Sequence, residues 1–347
     1  MPTAARAAYD KLIFELSSPG RYAYSLPECD VPDADPAALI ARRDVDLVVV
    51  TVKLPHHHRL VGEALAAGKL VMCEWPLGVD AGQTADLAAR AAGAGLGTLI
   101  GLQARMAPSI RYARDLVAQG YVGEVLATTL VGSGIAWTSV TDSAHAYMFE
   151  AAGNATLLSV PTMHALDALQ FVLGDLADIR ATSAVRRPAV TLADTQETIT
   201  ATAPDHLAIA ATLKSGAVAS VFYRGGTSRG DNFRWEINGT EGDLVLTSPV
   251  GNLQVLAPRL EGGRGEDRTT APLAVPAAYD LAPGAPEGPA ANVTRLYAAF
   301  AADRRAGTPG ATAPDFAHAL RAHHTLDFIT TAAVSGIAQR PVTETLT

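Results

Sequence analysis

Several small groups of residues in this sequence have types and spacings that could do chemistry. His164 and Asp167 stand three apart in TMHALDALQFVLG, a spacing that sets both on one side of a helix. An imidazole titrates near neutrality and can take or give a proton. Glu74-Trp75-Pro76 follows an apolar run; the indole has one N–H to donate and a flat ring that can stack, but it does not titrate near neutrality. Gln103 and Arg105 follow a second apolar run and are expected to be polar groups lining a cleft. The run His56-His57-His58 invites a metal reading, which is set aside because adjacent side chains diverge and no Cys, Asp or Glu stands at helical spacing from them. His145, Tyr147, Arg224 and Trp235 are further candidates for facing a ligand, whereas His323 and His324 are expected to be solvated or interfacial.

The elements that must position these groups are legible around residues 46–77. An unbroken β-branched run, Leu47 to Val52, is followed by Leu60, Ala64, Leu65 and Ala67 at helical spacing, by Gly68, and by a second apolar run, Leu70 to Cys73. Strands buried on both faces read as unbroken apolar runs, and a helix joining two of them makes a βαβ unit. Gly68 is the expected helix stop. Ligands in such sheets sit beyond the carboxyl ends of the strands, which singles out the loops 53–58 and 74–77. Upstream, residues 3–17 read as a helix, and DPAALIARRDVD as another with Asp35 as N-cap and Pro36 at the first helical position. Downstream come a helix in VDAGQTADLAARAAGAG, a strand in GTLIGLQ and a helix in MAPSIRYARDLVAQGYVG. The pattern then changes to strand-like runs joined by glycine turns, including AVRRPAV, AVASVFYRG, RWEINGTEGDLVLTS and NLQVLAP. One helix, TLLSVPTMHALDALQFVLG, interrupts them and a helix pair closes the chain. Residues 258–290 are expected to form a long surface loop.

The expected fold is α/β plus α+β: a truncated Rossmann-like parallel sheet over residues 1–122, then residues 123–347 with a large, mostly antiparallel open sheet and late helices packing back. A nucleotide-binding sheet usually opens on a strand and a Gly-rich turn that grips pyrophosphate. No G-x-G-x-x-G stands near the start, so the sequence begins about one β-α-β unit late or the protein does without that grip. At 347 residues, 48% hydrophobic, the chain can bury a large core. A net charge of −8 with only four lysines argues against direct nucleic-acid binding. Two cysteines, Cys29 and Cys73, point away from a disulfide framework and towards a reducing, cytoplasmic setting. No apolar stretch of about 20 residues and no signal pattern is evident, so a membrane partner is not expected.

With these motifs in order, the sequence resembles the Gfo/Idh/MocA oxidoreductase family, in its galactose-repressor-like branch. The resemblance is carried by TVKLPHH, CEWPL, LQARMAPSIRYARDLVAQGYVGEV, TMHALDALQFVLG, DHLAIAATLKSGAV with FYRGGT, and INGTEGDLVL, over roughly residues 35–250. It implies NAD or NADP as cofactor, weakened or lost if the phosphate loop is missing, near Thr51, Lys53, His57, Glu74, Trp75, Pro76, Gln103 and Arg105. It also implies a catalytic group of His164, Trp75 and Asp167, with His164 as acid or base and Trp75 where catalytic members have lysine. The aspartate that members carry shortly before the histidine is absent, since the segment reads Ser159-Val160-Pro161-Thr162-Met163.

The expected function is that of a nicotinamide-dependent oxidoreductase acting on a sugar or cyclic carbonyl or alcohol with a reduced catalytic set. The alternative is a catalytically silent or redox-neutral relative, either a ligand-sensing regulatory protein or a lyase or isomerase that relies on His164. The expected partners are a small-molecule substrate and a second copy of the chain through the open sheet.

Overall fold

The computed structural model describes residues 35–285 and 288–340. The helix expected over 3–17, Cys29 and the position of a Gly-rich phosphate turn lie outside the described residues. The chain divides into two compact units, Met1–Leu102 with Leu296–His323, and Gln103–Arg295 with His324–Thr347.

The first unit opens with α1 (Pro36–Ala41), whose N-cap Asp35 accepts a hydrogen bond from the Ala37 amide at 3.0 Å. Then come β1 (Leu47–Val50), α2 (His57–Ala66), β2 (Leu70–Glu74), α3 (Ala81–Gly93) and β3 (Thr98–Gly101). The strands pair in parallel in the order β1-β2-β3, Leu47 opposite Leu70 and Val71 opposite Thr98. All four β1 residues are buried, as an unbroken apolar run requires. Gly68, at φ +73°, ends α2: its amide bonds to Leu65 O and the next amide, of Lys69, to Ala64 O, which satisfies the last carbonyls without the strain a side chain would bring.

The second unit holds α4 (Pro108–Ala118), β4 (Val125–Gly134), β5 (Val140–Thr141), α5 (Met163–Leu173), β6 (Leu176–Ala184), β7 (Ala189–Leu192), β8 (Thr198–Thr200), β9 (His206–Leu213), β10 (Val218–Gly225), β11 (Phe233–Gly239), β12 (Gly242–Ser248), β13 (Arg259–Arg264) and β14 (Ala271–Pro272). Eight of the strands form one sheet in the order β14-β13-β12-β11-β4-β10-β9-β6, antiparallel except for the β4–β10 pair; β5, β7 and β8 form a small second sheet. Along β10, Ala219, Val221 and Tyr223 are buried while Val218 and Ser220 are exposed, the alternation of a sheet with one covered face. Two further helices, α6 (Pro289–Ala306) and α7 (Phe316–Ser335), close the chain. Residues 296–323 group with the first unit, where Ile100 N bonds to Pro314 O and Phe316 N to Thr98 Oγ1.

The structure corrects several local expectations. Helix α4 groups with the second unit rather than the first, because it packs on α5. The segment NLQVLAP forms turns and no strand; at its start the Asn252 side-chain Oδ1 accepts from the Ile135 amide, and just before it Gly251 O accepts from the Tyr223 hydroxyl. Residues 258–290 are not one loop, since β13 and β14 extend the sheet edge by pairing outward from β12. A wide turn with i to i+5 bonding, Leu158–Thr162, precedes α5 where one continuous helix was expected; Pro161 lies within it and has no N–H to give. Residues Ala151–Leu173 are long and apolar enough to cross a bilayer by length and composition, but most of that stretch is buried inside the protein.

Candidate functional site

In the first unit the candidate residues gather at the carboxyl ends of β1 and β2. Half-buried Thr51 and exposed Lys53 follow β1, and half-buried Glu74 ends β2. The Glu74 carboxylate lies against Gly101 at the end of β3, so closely that a Cβ added there would stand 2.6 Å from Oε2. His57, at the start of α2, joins the two loops. Its Nδ1 lies 2.9 Å from Pro76 O and its Nε2 2.8 Å from Val52 O. A neutral ring donates one of these bonds and a protonated ring both. Burial lowers the His57 pKa, opposed by the Val52 and Pro76 carbonyls. Cys73 Sγ stands 3.4 Å from His57 Nδ1, and burial pushes its thiol pKa up.

Trp75 is 4% exposed and packs against His323 with ring centroids 4.8 Å apart. His323, expected on a solvated or interfacial face, is fully buried against the Trp75 ring. The Trp75–Pro76 peptide is cis. At this position of the turn, where the resemblance implies a lysine in catalytic members, the chain has a packed indole that does not titrate near neutrality. His58 Nε2 pairs with Asp86 at 2.7 Å, and Asp86 with Arg90 at 2.8 Å. Among the described residues no group of three or more His, Cys, Asp or Glu could hold a metal ion. Thr51, Lys53 and Glu74 set a hydroxyl, an ammonium and a carboxylate at the carboxyl edge of a parallel sheet, a donor set that fits the ribose and nicotinamide end of a dinucleotide.

In the second unit α5 carries His164 and Asp167. His164 is 3% exposed and its Nδ1 is buried without a hydrogen-bond partner. Burial drives its pKa from 6.5 down to about 4, and Asp167 pulls the other way. Asp167 is held by Arg105, Nε to Oδ2 at 2.7 Å and Nη2 to Oδ1 at 2.5 Å, with both side chains buried. Arg105 also lies over the Phe171 ring at 4.9 Å, which Arg114 shares at 4.6 Å. Gln103, one turn before α4, is buried and its Oε1 has no hydrogen-bond partner.

The structure therefore groups Gln103, Arg105, His164 and Asp167 in one unit, and Thr51, Lys53, His57, Glu74, Trp75 and Pro76 in the other. Trp235 faces no ligand: it is fully buried and donates to Thr128 Oγ1 at 2.8 Å. His145 is an exposed partner of Asp142. Sequence reasoning gave Phe171 no role and misplaced His323; both gain their meaning only from partners distant in the chain.

Two family models match this chain: "Oxidoreductase family, NAD-binding Rossmann fold" over residues 23–101 and "Gal80p, C-terminal domain" over residues 108–248. The dehydrogenase aclE of Aspergillus oryzae is 28% identical over 224 residues, 62% of this chain and 61% of that protein. The galactose/lactose metabolism regulatory protein GAL80 of Kluyveromyces lactis is 29% identical over 232 residues, 61% of this chain and 50% of that protein. The chain thus spans about half to three-fifths of the length of these relatives. A solved structure of levoglucosan dehydrogenase with NADH and levoglucosan superposes with a TM-score of 0.76 at 19% identity, over 90% of this chain and 84% of that one, which shows the shared fold.

Proposed function

Because this chain belongs to the Gfo/Idh/MocA oxidoreductase family, in its Gal80-like branch, we propose that it is a nicotinamide-dependent oxidoreductase acting on a ring alcohol or carbonyl of sugar size. The observation that carries the reading is His164, a buried imidazole that stays neutral down to about pH 4 on the helix where family members keep their acid or base. A nicotinamide ring, when bound, accepts or gives a hydride. In the oxidative direction His164, already unprotonated, would take the O–H proton of the substrate carbinol. Thr51, Lys53 and Glu74 would hold the nicotinamide and ribose, and His57 would fix the two loops that carry them. NAD or NADP, and which sugar, follow from the ligand test below. The proposed macromolecular partner is a second copy of the chain, met through the outer face of the eight-stranded sheet.

Trp75 favours a second reading, a ligand-sensing regulator. An indole packed on His323 supplies no positive charge to the reacting centre, and loss of a positioned acid or base costs about 10²- to 10⁴-fold in rate. Titration with NAD(H) and NADP(H), followed by fluorescence, and then a panel of sugars decides between them. Saturable binding with turnover that His164→Ala lowers by about 10²- to 10⁴-fold is the expected result. Binding without turnover transfers the conclusion to the regulator, and absence of binding removes both dinucleotide readings.

A further inference from the structure

Arg111, in the first half of α4, is a half-buried cation with no counter-ion of its own. Among the described residues no carboxylate forms an ion pair with it, and its Nε is sealed from solvent without a hydrogen-bond partner. A guanidinium keeps its charge at any pH the protein meets, and one drawn out of water is ordinarily paired. Burial, helped by the charge of Arg114, pulls the Arg111 pKa below its ordinary value, while Asp115 and Tyr279 oppose.

The acidic groups brought to α4 serve other partners. Asp115 stands at helical spacing from Arg111, but its Oδ1 accepts from Arg114 Nε at 3.1 Å and its Oδ2 from the Tyr279 hydroxyl at 3.0 Å. Tyr279 ends the turn Ala277–Tyr279, which packs on α4 and sets its ring 4.9 Å from that of Tyr112. Asp280, the next residue, is taken by Arg295 at 2.8 Å. On β13, which also packs on α4, Glu261 accepts from the Thr270 hydroxyl at 3.1 Å. On α5, Asp167 is held by Arg105. Arg111, Arg114 and Asp115 lie at i, i+3 and i+4, so one face of α4 carries two positive charges against one negative. A single bound oxyanion would balance it.

The geometry points to Arg111 as the anchor of an anion site on α4, beside the Tyr279 turn, that takes the phosphate or carboxylate group of a small metabolite. With Nε sealed, the anion meets the two terminal nitrogens, whose parallel donors match either group. None of these residues has a role in the reaction as proposed, so the site goes beyond it.

The test needs no turnover. Thermal unfolding of the full chain in Tris chloride is compared with the same buffer, at equal ionic strength, containing inorganic phosphate or acetate. Wild type should gain about 2 °C or more from at least one of them, and the more effective anion tells phosphate from carboxylate. In R111M, which keeps the apolar stem and loses the charge, the gain should vanish; R111K should keep part of it. No gain in wild type, or an equal gain in R111M, overturns the inference. Should R111M fail to fold, wild type decides by NMR. Of its arginine Nε–H signals, the one missing from R111K should move saturably with phosphate or acetate, and a signal that stays still overturns the inference equally.

Discussion

At the scale of the residue, His164 ties stability to pH. Its folded pKa of about 4 lies below its ordinary 6.5 because burial penalises the cation. Above 6.5 neither state holds the proton, and the neutral ring costs nothing. As pH falls from 6.5 to 4 the unfolded chain takes a proton that the native chain refuses. Stability therefore drops across that window, by up to roughly 3 kcal/mol for this one group. Urea unfolding at pH 7 and pH 4.5 should show a loss in wild type that is smaller in H164Q; equal losses in both would remove His164 from the account. Under the proposed function, His164→Ala should also lower turnover by about 10²- to 10⁴-fold with little change in dinucleotide affinity. The pairing of His164 with Asp167 is legible in the sequence because helical spacing is local. That Asp167 answers to Arg105, 62 residues earlier, is not, since no periodic pattern reports which distant cation will reach a buried carboxylate.

At the scale of the element, the first βαβ unit was readable in advance: unbroken apolar runs gave β1 and β2, and Gly68 gave the end of α2. The same rules are silent on what holds the loops at the strand ends, because that depends on a side chain meeting two carbonyls from different segments. His57 does so, on Val52 O and Pro76 O. His57→Leu fills similar space but removes the hydrogen bond that the neutral ring donates to one of these carbonyls, at a cost of about 1–3 kcal/mol. The expected outcome is a lowered Tm together with weaker dinucleotide binding by fluorescence titration; binding at full strength would show that the loops do not depend on this link. Gly101→Ala probes the neighbouring contact, since its methyl would meet Glu74 Oε2 at 2.6 Å and Glu74 Cα at 3.0 Å. The carboxylate must move, and dinucleotide affinity should fall while α2 and its loops stay intact.

At the scale of the whole molecule, the change of sequence period after residue 123 announced a sheet but not its order. The parallel β4–β10 contact at its centre arises from strands some 90 residues apart, a pairing that local alternation cannot encode. What fits that pair together is the absence of a side chain. Gly132 on β4 lies beneath the Tyr223 ring of β10, where a Cβ would stand 2.1 Å from Cζ, and the Tyr223 hydroxyl donates to Gly251 O at 2.9 Å. Gly132→Ala should therefore cost about 1–3 kcal/mol or more from overpacking, read as a drop in the urea midpoint. The other face of the same strands bears on assembly. There Phe222 lies beside Ala208 of β9 and Val131 of β4, and Val218 near the sheet end is 58% exposed. Phe222, Ala208 and Val131 are flanked in the same row by Thr182 of β6 and Arg234 of β11, a short apolar strip that a second copy would cover through a two-fold, self-complementary contact. Light scattering should then give a mass at least twice 36.0 kDa. Phe222→Lys combined with Val131→Lys should return it to that of one chain without loss of the far-UV spectrum. A monomeric wild type at micromolar concentration would leave this face without a partner of its own kind.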